Sequence, residues 1–303
     1  MKPEAASPPV FEQLGVIGCG LIGGSFALAL RRAGLVRRVV GYSKSPSTTD
    51  RAKKLGVIDV AAESALLAVS GSDIVLIAVP VSAMEATFKA IRHLVEPGML
   101  VMDVGSTKRD VVDAARRVLK ERVGSFVPAH PIAGKEVHGI EHADGSLFEG
   151  RQVILTPLPQ TTPELVQKAT RAWAAIGSQV LRMTPENHDA AFAAVSHLPH
   201  LLAFAYFNAI SRQPDGRDYL SLGGPGFRDF TRIAASNPEV WRDILMANRE
   251  EILKQTQRFR HTLDAMEHVV RTGNSEALEA MIRSASEARA GWQMNSATPH
   301  THR

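Results

Sequence analysis

The sequence predicts an α/β fold with a doubly wound parallel sheet in its N-terminal half and an all-α C-terminal domain. Three observations support this prediction. A glycine-rich turn links an apolar run to a helical pattern near the N-terminus, short apolar runs then alternate with helical patterns, and strand-like runs disappear from Pro185 onward. Continuous apolar strands separated by helices are typical of a parallel sheet covered on both faces. We therefore predict domains of 1–184 and 185–303.

The first predicted strand is the apolar run Leu14–Ile17, which a glycine pattern and a helical pattern follow directly. The glycines have the G-x-G-x-x-G spacing of a dinucleotide-binding turn. The first permits the tight turn, the second lets the main chain approach a pyrophosphate, and the third lets helix and strand pack closely. The helix N-terminus attracts phosphate through its exposed N–H groups. We therefore predict a Rossmann-like domain whose cofactor contacts include Gly18, Gly20, Leu21, Ile22 and Gly23.

Later apolar runs predict the rest of the sheet. The strands are Val39–Tyr42, Asp73–Pro80, Met99–Val104, Phe126–Ala129, Val153–Thr156 and Gln179–Met183, and helical patterns cover Ser82–Leu94, Lys108–Arg122 and Pro163–Ile176. We expect the last two strands to extend the same unit. Ligands of doubly wound sheets bind at the carboxyl ends of the strands. Val79 and Pro80, which end one strand, are therefore also predicted cofactor contacts.

The C-terminal half is predicted to be helical. Apolar residues recur at spacings of three and four over Pro185–Arg212, Asn237–Thr272 and Ser275–Trp292, as in amphipathic helices. The segment from Ser211 to Gly226 is rich in glycine and turn-forming residues, which predicts a loop-rich interruption.

Composition and charge exclude several classes of protein. The net charge is only +4 over 303 residues, and no basic stretch carries aromatic side chains, so a nucleic-acid partner is not expected. The apolar run Leu14–Leu30 is short for a membrane span and contains five glycines, so no membrane partner is expected. Cys19 is the single cysteine and no signal peptide is visible, which favours a cytoplasmic protein.

The end of the second predicted strand indicates the type of dinucleotide. An acidic residue at this point binds the ribose 2′-hydroxyl of NAD, but here the strand ends in Tyr42-Ser-Lys-Ser-Pro46 without a carboxylate. Ser43 can hydrogen-bond a 2′-phosphate and Lys44 supplies positive charge, which favours NADP. The alternative is that both are ordinary turn residues and that the cofactor is NAD.

Two polar clusters, Asp103–Lys108 and Pro128–Glu136, lie at the carboxyl ends of predicted strands. A dehydrogenase needs a histidine with a hydroxyl partner to accept an alcohol proton during hydride transfer. His130 follows a predicted strand, which would hold it close to the nicotinamide, and the first cluster contains the hydroxyl of Ser106. The structural alternative is that His130 orders a turn, while Ser106 and Lys108 only cap the next helix.

A third cluster, Ser196–His200, lies on a predicted helix, with Arg232 further along the chain. Arginine binds carboxylates through two parallel hydrogen bonds, which makes Arg232 a candidate for a carboxylate substrate. The alternatives are that His197 and His200 are packed helix residues and that Arg232 forms an ion pair with Asp229. The sequence offers no convincing cluster of metal ligands, so no metal is predicted.

Six motifs occur along the chain in a characteristic order. They are Gly18-Cys-Gly-Leu-Ile-Gly-Gly-Ser25, Asp103-Val-Gly-Ser-Thr-Lys108, His130-Pro-Ile-Ala-Gly134, Ser196-His-Leu-Pro-His200, Asp229-Phe-Thr-Arg-Ile-Ala234 and Trp241-Arg-Asp-Ile244. In order and approximate spacing they resemble the prephenate/arogenate (cyclohexadienyl) dehydrogenase family. The resemblance extends from about Leu14 to Trp292.

The resemblance implies NAD(P)-dependent oxidative decarboxylation of prephenate and/or arogenate to 4-hydroxyphenylpyruvate and/or tyrosine, in tyrosine biosynthesis. The residues matching His130 and Ser106 contact the substrate 4-hydroxyl in this family. Those matching His200 and Arg232 bind substrate carboxylate, and the one matching Glu136 helps control access. The family's helical domain forms a homodimer. We expect no chorismate mutase domain before Leu14 and no regulatory domain after Trp292. Both substrates agree with the motifs, because they differ only in a keto or amino group on the side chain.

Two other functions remain open at this point. A 3-hydroxyacid dehydrogenase has a similar architecture but uses a lysine of its helical domain, and no lysine occurs between Pro185 and Ser236. A non-catalytic NADP(H) redox sensor would use the same dinucleotide-binding turn and signal through its helical half. Turnover with prephenate and arogenate distinguishes an enzyme from a sensor.

Overall fold

The larger sheet has six parallel strands in the order β3-β2-β1-β4-β5-β6. Its strands are β1 (Phe11–Ile17), β2 (Val36–Tyr42), β3 (Val60–Ala61), β4 (Ile74–Ile77), β5 (Leu100–Asp103) and β6 (Phe126–Val127). This is the strand order of the doubly wound dinucleotide-binding fold, so the predicted fold class is confirmed. The computed structural model describes residues 10–135 and 137–294.

Helices account for most of the remaining regular structure. In chain order they are α1 (Leu21–Arg32), α2 (Pro46–Lys54), α3 (Ala65–Val69), α4 (Met84–Ile91), α5 (Arg109–Leu119), α6 (Pro163–Ala175), α7 (Pro185–Phe192), α8 (Leu198–Ser211), α9 (Gly216–Ser221), α10 (Pro225–Thr231), α11 (Pro238–Ala247), α12 (Arg249–Arg271) and α13 (Ser275–Gly291). The C-terminal half is helical as predicted. The predicted helix 237–272 is two helices, α11 and α12, and the predicted loop after Ser211 contains α9.

The chain forms two compact units. The first, here called the sheet unit, comprises residues up to Asp189 together with Ser236–Ala247. The second, here called the helical unit, comprises Ala190–Ala235 and the chain from Asn248 onward. Helix α11 belongs to the sheet unit, where Asp243 accepts a 2.5 Å hydrogen bond from Ser82. The domain boundary between residues 184 and 185 stays a prediction.

Three short strands form a separate sheet in the order β7-β8-β9. They are β7 (Ala129–Pro131), β8 (Gln152–Leu155) and β9 (Gln179–Arg182), and β7 pairs with β8 in antiparallel orientation. The predicted strands Val153–Thr156 and Gln179–Met183 were expected to extend the parallel unit, but they are β8 and β9 of this separate sheet. Pro128 has no N–H to continue the ladder after β6, and its carbonyl accepts the N–H of Thr156 instead. The chain therefore passes from one sheet to the other at this residue.

The core of the sheet unit consists of two apolar clusters, to which alternate strand residues contribute. In β4, Ile74 and Leu76 belong to one cluster, while Val75 and Ile77 belong to the other. This alternation is the two-residue period of a strand. Aromatic pairs lie within each cluster, Phe26 with Trp173 in the first and Phe88 with Phe126 in the second. Both faces of the sheet are therefore covered, as a parallel sheet requires.

The helical run Pro185–Ser211 has the length and composition of a membrane-crossing helix, with a mean hydropathy of 1.4 in its most apolar window. Only 22% of that window is buried within the chain. Core helices of water-soluble proteins also meet this criterion, so the finding alone does not indicate a membrane.

Candidate active site

The backbone around the turn after β1 leaves no room for a side chain at two of its glycines. Gly18 has φ +99°, and a Cβ at this residue would lie 2.2 Å from the Ala78 carbonyl oxygen. Its N–H donates to the Tyr42 carbonyl over 2.7 Å. A Cβ on Gly23 would lie 2.2 Å from the Gly18 carbonyl oxygen. Only glycine satisfies both positions, so the start of α1 is held close to the carboxyl ends of β2 and β4.

The N-terminus of α1 has the features of a phosphate site. Its N-cap is Gly20, no side chain caps it, and its first turn contains no acidic residue. A Cβ on Gly20 would meet no atom within 4 Å, so the main chain here borders open space. Leu21 and Ile22, the first two helical residues, are half-buried beside it. Uncapped N–H groups and the helix dipole favour an anion at this position, and the residues present therefore fit a dinucleotide.

Two further predicted cofactor contacts lie next to this turn. A Cβ on Gly18 would lie 3.3 Å from Val79 Cγ1, which places Val79 against the turn. Pro80 follows and is exposed. At the end of β2, Ser43 Oγ accepts the N–H of Cys19 over 2.8 Å.

The hydroxyl of Ser43 is also near the thiol of Cys19. Burial raises the pKa of the Cys19 thiol to about 11, and a hydrogen bond with the Ser43 side chain partly opposes this by lowering the pKa. The thiol is therefore protonated at neutral pH and packs as an apolar group. Lys44, next to Ser43, is exposed.

A buried ion pair connects the ends of β5 and β7. Asp103 and Lys108 have fully buried side chains and contact each other directly. Lys108 Nζ also donates to the Ala129 carbonyl over 2.8 Å, while Asp103 accepts the N–H of Ala129 over 3.1 Å. Ser106 lies in the loop between the two charged residues. This loop is therefore fixed to the residue that precedes His130.

His130 is linked to a second histidine of the sheet unit. Its Nδ1 lies 2.8 Å from Nε2 of His188. His188 Nδ1 lies 2.8 Å from Asp189 Oδ1. Both His188 and Asp189 are buried. His130 itself lies in β7, opposite Ile154 of β8.

Asp189 also caps helix α5. Its two carboxylate oxygens accept the N–H groups of Lys108, over 2.8 Å, and of Arg109, over 2.9 Å. Lys108 occupies the N-cap position, but its side chain makes no capping hydrogen bond. Lys108 therefore does not cap α5 with its side chain, and the Asp189 carboxylate provides the cap instead.

Sequence reasoning missed His188 and Asp189. They are adjacent in the sequence, close to the predicted domain boundary. That adjacency is the only signal the sequence offers, since 58 positions separate His188 from His130.

In the helical unit, His197 is a packed residue, which agrees with the structural interpretation given for it in the sequence. It is 1% exposed and lies in a π-helical turn between α7 and α8. Asn248 Nδ2 donates to its Nδ1 over 3.0 Å. His197 therefore serves the packing of α12 against this turn.

His200 is half-buried and lies near Arg232. Burial lowers the pKa of His200, its hydrogen bond to the Ser196 carbonyl opposes this, and the positive charge of Arg232 lowers the pKa further. The Ser196 carbonyl accepts from His200 Nδ1 over 2.9 Å, so Nδ1 carries a proton and Nε2 is the acceptor of the neutral ring. The two predicted carboxylate-binding residues thus lie together in one unit.

Arg232 is exposed and begins a short 3-10 turn after α10. The structural interpretation of Arg232 was an ion pair with Asp229. Asp229 accepts a hydrogen bond from Arg228 Nε over 3.1 Å. Glu136, the remaining predicted site residue, lies outside the described residues. Within 10–135 and 137–294, no group of three or more His, Cys, Asp or Glu residues could hold a metal ion.

Comparison with known proteins identifies the relatives of this chain. The nucleotide-binding domain of prephenate dehydrogenase matches residues 26–182, and the dimerization domain of prephenate dehydrogenase matches residues 184–284. Prephenate dehydrogenase of Bacillus subtilis is 35% identical over 276 residues, which cover 90% of this chain and 74% of that protein. Cyclohexadienyl dehydrogenase of Zymomonas mobilis is 31% identical over 92% of this chain and 96% of its own length.

A solved structure agrees with these relationships. Prephenate dehydrogenase from A. aeolicus, in complex with hydroxyphenyl propionate and NAD+, has a TM-score of 0.87 and 33% identity, and the match covers 95% of this chain and 99% of that one. The resemblance inferred from the six motifs is thus confirmed, and the 3-hydroxyacid dehydrogenase alternative is not favoured. The chain belongs to the prephenate dehydrogenase family.

Proposed function

We propose that this protein catalyses the NAD(P)-dependent oxidative decarboxylation of prephenate and/or arogenate to 4-hydroxyphenylpyruvate and/or tyrosine. The observation that supports the proposal most is His130 on β7, directly after Ala129, whose N–H donates to Asp103 at the carboxyl end of β5. The buried Asp103–Lys108 pair joins the strand of His130 to the loop of Ser106, and the chain belongs to a dehydrogenase family.

His130 accepts the hydrogen bond and then the proton of the substrate 4-hydroxyl, and Ser106 assists it. Withdrawing the proton raises electron density on the ring carbon that carries the hydroxyl, which strengthens hydride donation. When bound, the nicotinamide cofactor supplies the acceptor for that hydride. Loss of the ring carboxylate as carbon dioxide makes the ring aromatic, so the overall reaction is effectively irreversible.

Substrate carboxylate is bound by residues of the helical unit. Arg232 offers a planar guanidinium group with two parallel donors. His200 lies close enough for the charge of Arg232 to lower its pKa, so the two positions form one cationic site when His200 is protonated. We assign Glu136 to the control of substrate access, on the family resemblance.

For the cofactor, we propose that NADP is favoured over NAD. Ser43 and Lys44 directly follow β2, where NAD-binding proteins have the carboxylate that binds the ribose 2′-hydroxyl. Ser43 Oγ accepts the N–H of Cys19, so its own proton is available as a donor to a phosphate oxygen. Gly18, Gly20, Leu21, Ile22 and Gly23, with Val79 and Pro80, form the remaining contacts.

We further propose that the protein is a cytoplasmic homodimer formed through its helical half. Residues 184–284 match a dimerization domain. Large apolar side chains are exposed along this half, including Val195, Leu222 and Leu253. A second copy would remove such apolar surface from water.

The test is turnover by the purified chain with prephenate and with arogenate, each with NAD and with NADP. We expect reduced nicotinamide and an aromatic product in equal amounts, with higher kcat/KM for NADP. Binding of the dinucleotide without turnover of either substrate would instead favour the redox-sensor alternative.

A further inference from the structure

His188 and Asp189 form a buried polar pair to which neither the sequence motifs nor the proposed reaction assigns a role. His188 is 0% exposed and Asp189 is 1% exposed. His188 contacts Asp189 through Nδ1 and His130 through Nε2, each over 2.8 Å. The three side chains therefore form a continuous hydrogen-bonded series that ends at the proposed proton acceptor.

The direction of these hydrogen bonds follows from the donors around Asp189. Two backbone N–H groups, of Lys108 and Arg109, donate to its carboxylate oxygens. They belong to the N-cap and the first residue of α5, where the helix dipole also favours a negative charge. An ionised carboxylate only accepts hydrogen bonds, so Nδ1 of His188 must be its donor.

This assignment determines the tautomer of both histidines. When Nδ1 of neutral His188 carries the proton, its Nε2 is an acceptor. His130 must then donate from its own Nδ1, which leaves the lone pair of His130 on Nε2. The opposite order would place the Nδ1 lone pair of neutral His188 against the Asp189 carboxylate, which is electrostatically unfavourable.

We propose that His188 and Asp189 are positioning residues that hold His130 in the Nδ1–H tautomer, so that Nε2 is the atom that accepts the substrate proton. The inference rests on the proposed function in one respect, namely that this proton comes from the substrate 4-hydroxyl.

The 4-hydroxyl proton moves to His130 Nε2 while hydride leaves the ring carbon for the oxidised nicotinamide. Decarboxylation returns the carbon–carbon bonding pair to the ring, and the resulting phenolate takes the proton back. The His188–Asp189 pair stabilises the imidazolium formed between these steps, as a buried carboxylate does behind a catalytic histidine.

The first test is spectroscopic and needs neither substrate nor cofactor. In the full-length chain labelled with 15N-histidine, NMR distinguishes protonated from unprotonated ring nitrogens. The His130→Gln variant assigns the His130 signals by their loss. We expect Nδ1 of His130 to be protonated and Nε2 unprotonated at neutral pH, and the reverse pattern would overturn the proposal.

The second test compares two variants at the same position. His188→Leu removes the acceptor for His130 Nδ1, whereas His188→Gln retains an amide oxygen that can replace it. We expect His188→Leu to populate the other tautomer and to lower kcat by roughly 10²-fold, the low end of the contribution of a positioned base. KM for the substrate should stay unchanged, and His188→Gln should recover both the tautomer and most of kcat.

His197→Gln is the matched control, because His197 is equally buried but bonded to Asn248 in the helical unit. It should lower the melting temperature without changing the His130 tautomer. If His188→Leu leaves tautomer and kcat unchanged, the positioning role is wrong. If the unmodified chain shows the expected tautomer but turns over neither substrate, the positioning role is supported while the proposed function fails.

Discussion

Ser43 Oγ accepts the backbone N–H of Cys19 over 2.8 Å, which joins the end of β2 to the glycine turn. Ser43→Asp should therefore place a carboxylate beside the turn at the ribose end of the proposed cofactor site. It would repel a 2′-phosphate and offer the 2′-hydroxyl of NAD an acceptor. We expect the ratio of kcat/KM for NADP to that for NAD to fall, as measured by steady-state kinetics with both cofactors.

Lys44→Gln provides a second measurement of the same preference. It removes positive charge from an exposed side chain and should raise KM for NADP without affecting KM for NAD. A strong preference of the unmodified protein for NAD would show that the NADP assignment is wrong, whatever the variants do.

His130→Asn retains a hydrogen-bonding side chain but removes the proton acceptor. A positioned general base contributes on the order of 10²–10⁴-fold to the rate. We expect kcat to fall within that range while the dissociation constant of the cofactor, measured by fluorescence titration, stays the same. Near-normal turnover by this variant would exclude His130 as the base.

Lys108→Met tests the buried pair that holds the loop of Ser106 against β7. The variant leaves the buried Asp103 carboxylate with only backbone donors, from Gly105 and Ala129. Removing one partner of a buried ion pair costs about 3–5 kcal/mol, so the free energy of unfolding in urea should fall by that amount.

The control for this measurement is Lys89→Met. Lys89 pairs with Glu85 on the surface of α4, and both side chains are exposed. Exposed pairs contribute little, so the loss should be far smaller. Equal losses in the two variants would contradict the structural role of the Asp103–Lys108 pair.

Arg232→Lys tests the proposed carboxylate site. A lysine retains the charge but not the two parallel donors of a guanidinium group, so KM for prephenate or arogenate should rise while cofactor binding is unaffected. Arg232→Ala should be worse, because loss of one partner of a desolvated charge pair costs roughly 2–5 kcal/mol.

Arg228→Ala is the matched control for Arg232. Arg228 is exposed and bonded to Asp229, and its replacement should leave KM unchanged. A lower melting temperature of the Arg232 variants without any change in KM would indicate a structural role only.

His200 predicts a pH dependence of substrate binding. Burial first, and then Arg232, lower its pKa below the ordinary value, so the free protein carries a neutral ring at neutral pH. Its Nδ1–H donates to the Ser196 carbonyl, so Nε2 can donate to a substrate carboxylate only after protonation. Binding should therefore take up a proton, and affinity should weaken as pH rises above the pKa of the free ring.

Calorimetry in buffers of different ionisation enthalpy measures this proton uptake, with an aromatic carboxylate such as hydroxyphenyl propionate as ligand. His200→Asn should abolish it, and binding without proton uptake by the unmodified chain would contradict the role of His200.

The lowered pKa of His200 also determines how its contribution to folding stability changes with pH. Because the unfolded chain binds this proton at higher pH than the folded one, the contribution of His200 to stability is lost as pH falls from about 6.5 towards the lowered pKa.

Much of the sheet unit could be predicted because its signals are local. The order of strand, glycine turn and helix around Gly18 lies within a few consecutive residues, and the apolar runs of β4 and β5 are long enough to be recognised. The strands after Pro128 were predicted in the wrong arrangement. A short apolar run does not indicate which sheet it joins, and here the missing N–H of Pro128 ends one ladder while β7 pairs with β8.

The sequence by itself determined the dinucleotide-binding fold, the helical C-terminal half and the family, because glycine geometry, apolar periodicity and the order of motifs are properties of neighbouring residues. Only the tertiary structure decided that Asp103 and Lys108 are a buried pair, that Asp189 caps α5, and that His188 lies against His130. These contacts depend on where a folded chain brings distant residues together. A hydrogen bond between side chains 58 positions apart leaves no periodic pattern in the sequence.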